Sequence, residues 1–362
     1  MNFDEKNGFS RKQFMKNVGG AIFGGGLLAG AGLPLKTKAN SLAHMGKPEP
    51  VPISTDRIGA DPTDIPGPIT YSSPRTHEIE LVSNELTAEI EDGVQFQYMT
   101  FGDQVPGPMI RVRQGDTVIF TLRAAEDSAM LHNIDFHAVY GTGGGANATY
   151  VTPGQSKTIK FKAMYPGAFI YHCAVPEMDY HISSGMYGMI VVEPEDGLPE
   201  VDHEFYLGQN ELYTQQQVGT KGLHEFSKSD MQREDATYVL LNGEKYGLTD
   251  QRHGPMKVKK GETARIFFVN GGPNLASSLH PIGNVWTKAW REGAIASNPE
   301  KFVQTALVPP GSCGIFEMDF PVPSTIHIVD HALSRVANKG MRGDIVVEGE
   351  EEPDIYNPNY SS

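Results

Sequence analysis

Three segments of this chain occur twice, in the same order. GPMIRVRQGDT (Gly107–Thr117) returns as GPMKVKKGET (Gly254–Thr263), VTPGQSKTIKF (Val151–Phe161) as VPPGSCGIFEM (Val308–Met318), and GMYGMIVVEPE (Gly185–Glu195) as GMRGDIVVEGE (Gly340–Glu350). One such match could arise by chance, but three in register make the chain a tandem duplication. Within each half, alternating runs such as RVRQGDTVIFTLR and KVKKGETARIFFVN lie between Gly and Pro turns, which predicts antiparallel strands. The expected fold is therefore all-β, with two small β-sandwich domains over residues 76–196 and 200–350. With 40 glycines and 25 prolines in 362 residues, the composition suits short strands and frequent turns more than helices.

Superposing the halves also aligns their histidines. His132 falls near His280, and FIYHCA corresponds to HIVDHA, which keeps a histidine, His331, but lacks the cysteine. Met186 aligns with Met341, while the loop that carries His181 is shortened in the second half to LSRVANK, without a histidine. A thiolate-bearing site was kept in one copy and dismantled in the other.

The ends read differently. SRKQFMK (Ser10–Lys16) precedes a glycine-rich apolar run and then KTKANSLA. This resembles a twin-arginine export signal with Lys12 in place of the second arginine, and cleavage after Ala39 or Ala43 would fit. An uncleaved anchor is the alternative, but so much glycine makes a poor spanning helix. Residues 1–39 are thus expected to be an export signal that sends the chain to the periplasm or another extracytoplasmic compartment. Residues 40–75 read as a proline-rich N-terminal arm and 351–362 as a solvated acidic tail. The net charge is −14, and because residues 1–39 carry +4 the remainder carries −18. That balance argues against nucleic acid or an anionic membrane surface as a partner.

The chemistry concentrates in YHCAVPEMDYHISSGM (Tyr171–Met186), which holds one of only two cysteines. Cys173, His181 and Met186, with His132 upstream, supply two imidazoles, a thiolate and a weak thioether. A soft thiolate and thioether favour Cu(I) and imidazoles suit Cu(II), so the set fits a one-electron copper centre. Zinc would more often take a closed tetrad with several cysteines and no methionine. The competing readings are a buried structural cysteine or a Cys173–Cys313 disulfide, which an oxidising compartment permits.

Neighbouring side chains on an extended strand face opposite ways. If Cys173 points into its sandwich, His172 points outward. By the same parity His132 and His137, five residues apart, face opposite sides, and Asp135 shares a side with His137. The residues therefore sort into His132 with Cys173, and Asp135 with His137 and His172. A second metal, one peptide link from the first, is implied. Two imidazoles fall short of the three protein ligands a catalytic metal usually takes, and His280 and His331 are the available further donors, from the same chain or a neighbouring one.

The run LHNIDFHA…GGG…YHCAVP…H…GMYG…IVVEPEDGLP, followed by GGPNLASSLHPIG and VDHALSRVANKG, resembles the copper-containing nitrite reductases over nearly all of the mature chain. The resemblance implies two tandem Greek-key cupredoxin-like domains in a homotrimer, with one type 1 and one type 2 copper per subunit. It implies His132, Cys173, His181 and Met186 as type 1 ligands, and His137, His172 and, from the adjacent subunit, His331 as type 2 ligands. Asp135 and His280 become the proton-handling pair and Ile282 a wall of the substrate pocket. The implied reaction is one-electron reduction of nitrite to nitric oxide, fed by a small cytochrome c or cupredoxin. The sequence departs from the family at Pro281, after His280, and in AVYGTGGGANATY, which leaves the ligands untouched.

Two other functions share parts of this pattern. A two-domain laccase-like multicopper oxidase needs His-x-His pairs and a histidine on each side of its cysteine, whereas Cys173 is followed by Ala174. A non-enzymatic cupredoxin electron carrier would leave Asp135, His137, His172, His280 and His331 without purpose. Of the other six histidines, His327 alone stands close to a site residue, four before His331, and Cys313 reads as an inert thiol.

Overall fold

The computed structural model describes residues 48–360, so the expected export signal and His44 lie outside the described residues. Eight strands fall between residues 76 and 193: β1 (Thr76–Glu91), β2 (Val94–Phe101), β3 (Ile110–Arg113), β4 (Thr117–Ala124), β5 (Asp135–Phe136), β6 (Ser156–Lys162), β7 (Gly167–His172) and β8 (Tyr187–Glu193). Six more open the second half: β9 (His203–Leu212), β10 (Gly222–His224), β11 (Tyr238–Leu241), β12 (Met256–Lys259), β13 (Thr263–Gly272) and β14 (Ser277–Ile282). The remaining six are β15 (Trp286–Trp290), β16 (Glu300–Val303), β17 (Ala306–Val308), β18 (Ser312–Asp319), β19 (Ser324–Asp330) and β20 (Arg342–Glu348). A short helix, α1 (Met178–Ser183), carries His181.

The strands form four sheets, ordered β10-β2-β1-β4-β6, β3-β8-β7-β5, β11-β9-β13-β18-β15-β16 and β12-β20-β19-β14-β17. Apart from β10, which crosses over to pair with β2, each half contributes two sheets. The expected antiparallel pairing accounts for only part of the sheets. β1 pairs with β4, β3 with β8, β9 with β13 and β12 with β20 in parallel. The repeated turns at Gly115 and Gly261 make no hairpins: β3 and β4 lie in different sheets, as do β12 and β13. Each turn arches from one layer to the other. The alternation in RVRQGDTVIFTLR reports one buried and one outward face, which an arch and a hairpin share.

Three apolar clusters result. One lies within the first half and includes Phe101, Phe120, Phe136, Tyr171, Cys173 and Met186. A second fills the second half around Phe268, Trp286 and Phe316, with Met341 fully buried in it, as expected of a core methionine. The third joins the halves, with Tyr98, Tyr187 and Met189 against Tyr206, Phe267 and Ile315. Beside it Glu204 accepts hydrogen bonds from Arg111 (2.6 Å) and Arg265 (2.8 Å), tying β3 to β9 and β13. Residues 48–75 run extended across both halves: the Ile58 and Gly59 amides donate to Glu244 (2.9 and 3.0 Å), and Arg111 donates to the Pro66 carbonyl (3.0 Å). In the tail Ile355, Tyr356 and Tyr360 are exposed. Among the described residues no helix is long and apolar enough to cross a membrane.

Candidate metal centres

β7 ends at His172, and Cys173 follows at the rim of the first-half core. The chain then leaves through α1 and returns. The Met186 amide donates to the His181 carbonyl, and the Cys173 amide donates to the Met186 carbonyl, both at 3.1 Å. The loop from Cys173 to Met186 therefore closes on itself and buries Met186 in the same cluster as the thiol. Gly185 makes the return possible: its φ is +119°, and a Cβ there would lie 2.5 Å from Val105 Cγ2. The second half clamps α1 from outside. Ser183 Oγ donates to the Glu211 carbonyl (2.6 Å), and Asn210 Nδ2 donates to the Ser183 carbonyl (3.0 Å).

Cys173 Sγ lies 3.6 Å from His181 Nδ1 and 3.9 Å from His132 Nδ1, with all three residues buried. Bonds of about 2.0–2.3 Å from one ion to nitrogen and sulfur bring donor atoms to roughly this separation. Burial pushes the Cys173 thiol up to about 11, and burial together with the nearby His132 pulls His181 down to about 4. The Cys173 thiol and the His181 ring are thus neutral at pH 7 without a metal, and an incoming cation must displace the thiol proton. Both cysteines are free and buried, so the disulfide alternative fails. Cys313 sits in β18, and its thiol is also raised by burial, as an inert thiol requires.

The second cluster lies on the other side of the same strand. Asp135 and His172 are cross-strand partners of β5 and β7, and Asp135, His137 and His172 offer donor atoms all within 4.8 Å of one another. The His137 and His172 Nε2 atoms are 3.1 Å apart. The His172 Nδ1–H donates to the Cys173 carbonyl (2.9 Å), so its Nε2 presents a lone pair toward His137. Burial, with His172 beside it, lowers the His137 pKa. Two imidazole lone pairs converging beside a carboxylate are what a shared cation resolves, and imidazoles suit copper. The parity sorting of the sequence thus holds for both groups.

His280 and His331 do not join this cluster within the chain. Their rings stand 5.2 Å apart on the second half, where His331 is exposed and the His280 Nδ1–H donates to the Gln304 carbonyl (2.6 Å). Ile282 and Leu307 share that outward face and are exposed. His327, four residues before His331, instead pairs with the Asp344 carboxylate at 2.7 Å.

Three residues around the sites escaped the sequence reading. Glu85 on β1 meets His132 Nε2 at 2.5 Å. Asn133 Oδ1 accepts the Ala174 amide (2.7 Å) and faces Cys173 Sγ at 3.8 Å. Gly144 has φ +54°, and a Cβ on it would lie 1.9 Å from Asp135 Oδ1. Its place in a GGG run signals an unusual turn, but only the fold shows which carboxylate the turn approaches.

A sheet-built chain with a buried cysteine between two imidazoles is the make-up of cupredoxin-like copper proteins, and the family model described as Multicopper oxidase matches residues 83–197. More specific relatives follow. The copper-containing nitrite reductase of Neisseria meningitidis serogroup B is 42% identical over 306 residues, covering 84% of this chain and 77% of that one. The copper-containing nitrite reductase of Cereibacter sphaeroides is 32% identical, covering 92% of this chain and 95% of that one. Among solved structures, a copper nitrite reductase from Nitrosomonas europaea matches with TM-score 0.68 and 32% identity, covering 77% and 96% of the two chains. The chain belongs to the copper-containing nitrite reductase family.

Proposed function

We propose that the chain reduces nitrite to nitric oxide and water, taking up one electron and two protons, with His132, Cys173, His181 and Met186 holding a type 1 copper and His137 and His172 a type 2 copper. The observation that carries this reading is the pair of clusters set back to back on residues 172 and 173, one with a thiol and one with imidazoles beside a carboxylate. Copper at the two positions would supply a one-electron relay and a Lewis-acidic position for a small anion. The protein supplies the rest. Cys173 and His172 share a peptide bond, which connects the two sites covalently. The Asp135 carboxyl lies beside the His137–His172 pair and can hold a proton where an oxygen of nitrite would leave as water. His280 commits Nδ1 to Gln304, so its Nε2 remains free to carry the second proton. Ile282, two residues on and on the same face, would wall the anion pocket.

The chain acts as a homotrimer in this reading. A catalytic metal usually takes three protein ligands, and the outer cluster supplies two imidazoles. A groove of about 570 Å³ opens beside His137 between Tyr140, Tyr165 and Ala294. The exposed face carrying His280, Ile282 and His331 on a neighbouring subunit would bring the third ligand and the second proton carrier. Two Greek-key cupredoxin domains, 76–196 and 200–350, complete the architecture, with arm and tail outside them. We place the protein in the periplasm, exported by the twin-arginine route and reduced there by a small cytochrome c or cupredoxin.

The test is anaerobic turnover of the copper-loaded protein with reduced dye and nitrite. Nitric oxide should form, two copper ions should be found per chain, and His172→Ala should lose the type 2 signal and turnover while keeping the type 1 absorption. One ion per chain, or a His172→Ala variant with full turnover, refutes the reading. Oxygen consumption with a phenol and no nitric oxide would turn it into an oxidase.

A further inference from the structure

We propose that Glu85 is a positioning residue for the type 1 site: its carboxylate fixes the tautomer and orientation of His132, and its charge sets the reduction potential of the ion held there. The proposal rests on the reading of His132 as a ligand.

Glu85 sits on β1 opposite Met99 of β2, and 47 residues separate it from His132. The two side chains are 5% and 0% exposed, so water does not compete for the contact between them. Each carboxylate oxygen is engaged. Oε1 faces His132 Nε2 at 2.5 Å and accepts the Ser128 hydroxyl at 3.0 Å, while Oε2 accepts the Ala129 amide at 2.7 Å. One side chain thus holds both the loop that delivers His132 and the ring itself.

A carboxylate only accepts, so the His132 proton resides on Nε2. Nδ1 is then left with its lone pair, and Nδ1 is the atom that faces Cys173 Sγ. Had the proton stayed on Nδ1, it would point at the thiol and block a metal. A carboxylate on the far nitrogen of a ligating imidazole also raises that ligand's donor strength. Its negative charge, in a site with little water to screen it, favours the oxidised and more positive state of a bound ion. The two type 1 histidines are therefore supported differently: His132 is anchored from the sheet by a charge, whereas His181 rides on the short helix α1. A carboxylate that merely fastened β1 to the loop would need the Ser128 and Ala129 contacts alone. The contact to His132 Nε2 is the one a fastening role leaves unexplained.

The experiment compares copper-loaded full-length wild type with Glu85→Gln, Glu85→Ala and His132→Ala. It reads the type 1 visible and electron paramagnetic resonance signals, the type 1 reduction potential and copper retention against a chelator; melting of the metal-free proteins monitors folding. Glu85→Gln keeps an oxygen that can accept from Nε2 but loses the charge, so it should retain type 1 copper at a more positive potential. Glu85→Ala should weaken type 1 copper retention about 10–100-fold and leave the type 2 signal unchanged. The proposal is overturned if His132→Ala abolishes the type 1 signal while Glu85→Gln keeps the wild-type potential and Glu85→Ala the wild-type retention. A His132→Ala variant with an intact type 1 signal overturns the ligand reading, and this proposal with it.

Discussion

Acidifying the metal-free protein probes the energetic cost of holding His181 in a buried place. Burial and the nearby His132 bring its pKa to about 4, against 6.5 in an unfolded chain. A depressed histidine pKa means that the unfolded chain binds the proton more readily. Stability is therefore full above pH 6.5 and falls as the pH drops toward 4. For one such group the loss on going from pH 8 to pH 5 is about 2 kcal/mol, and over the whole window about 3 kcal/mol. His181 is 2% exposed, so solvent screens little of this effect. His137 and His224 are lowered in the same direction and add to the slope. The quantity to measure is thus the difference between wild type and His181→Asn, which keeps polarity but does not titrate. Urea unfolding followed by circular dichroism, with chelator present and protein concentration fixed, gives that difference at pH 8, 6.5 and 5. The wild type should lose about 2 kcal/mol more than the variant by pH 5. Parallel curves for the two proteins across that range would show that His181 folds into a solvated place, and the reasoning about the dry thiol–imidazole cluster would fail.

At the alkaline end the sign reverses: the Cys173 thiol, raised from 9.0 to about 11, makes the metal-free protein lose stability above pH 9, and Cys173→Ser should flatten that limb in the same titration. Asp135→Asn should retain both copper ions by elemental analysis while turnover falls about 10²–10⁴-fold, and unchanged turnover would remove Asp135 from the chemistry. Gly144→Ala places a Cβ where Asp135 Oδ1 now sits, so turnover should fall with copper content preserved. Wild-type turnover in that variant would show that the Asp135 rotamer is free.

Much of the site was legible because strand parity is local. His172 and Cys173 must face opposite ways on any extended strand, and the same rule separates His132 from Asp135 and His137. No long-range contact was needed to foresee two clusters on opposite faces, and both are present. The duplication likewise exposed which half kept the thiol, since HIVDHA repeats FIYHCA without its cysteine. The pairing of strands was less accessible. RVRQGDTVIFTLR predicts antiparallel strands, yet β3 pairs with β8 and β4 with β1 in parallel. A one-sided alternation records burial and says nothing of which strand lies alongside.

The grouping and sidedness of the candidate site residues were therefore properties of the chain order, carried by residue type and by the two-residue period of a strand. Their surroundings were settled only by folding. Glu85 lies in SNEL, a segment without any ligand signature, and meets His132 because β1 runs past the loop that begins at Ser128. Gly144 reaches Asp135, and Asn210 reaches the helix of His181 from the other half of the chain. Hydrogen-bond donors and acceptors far apart in sequence find each other through sheet packing, and no local period encodes that meeting.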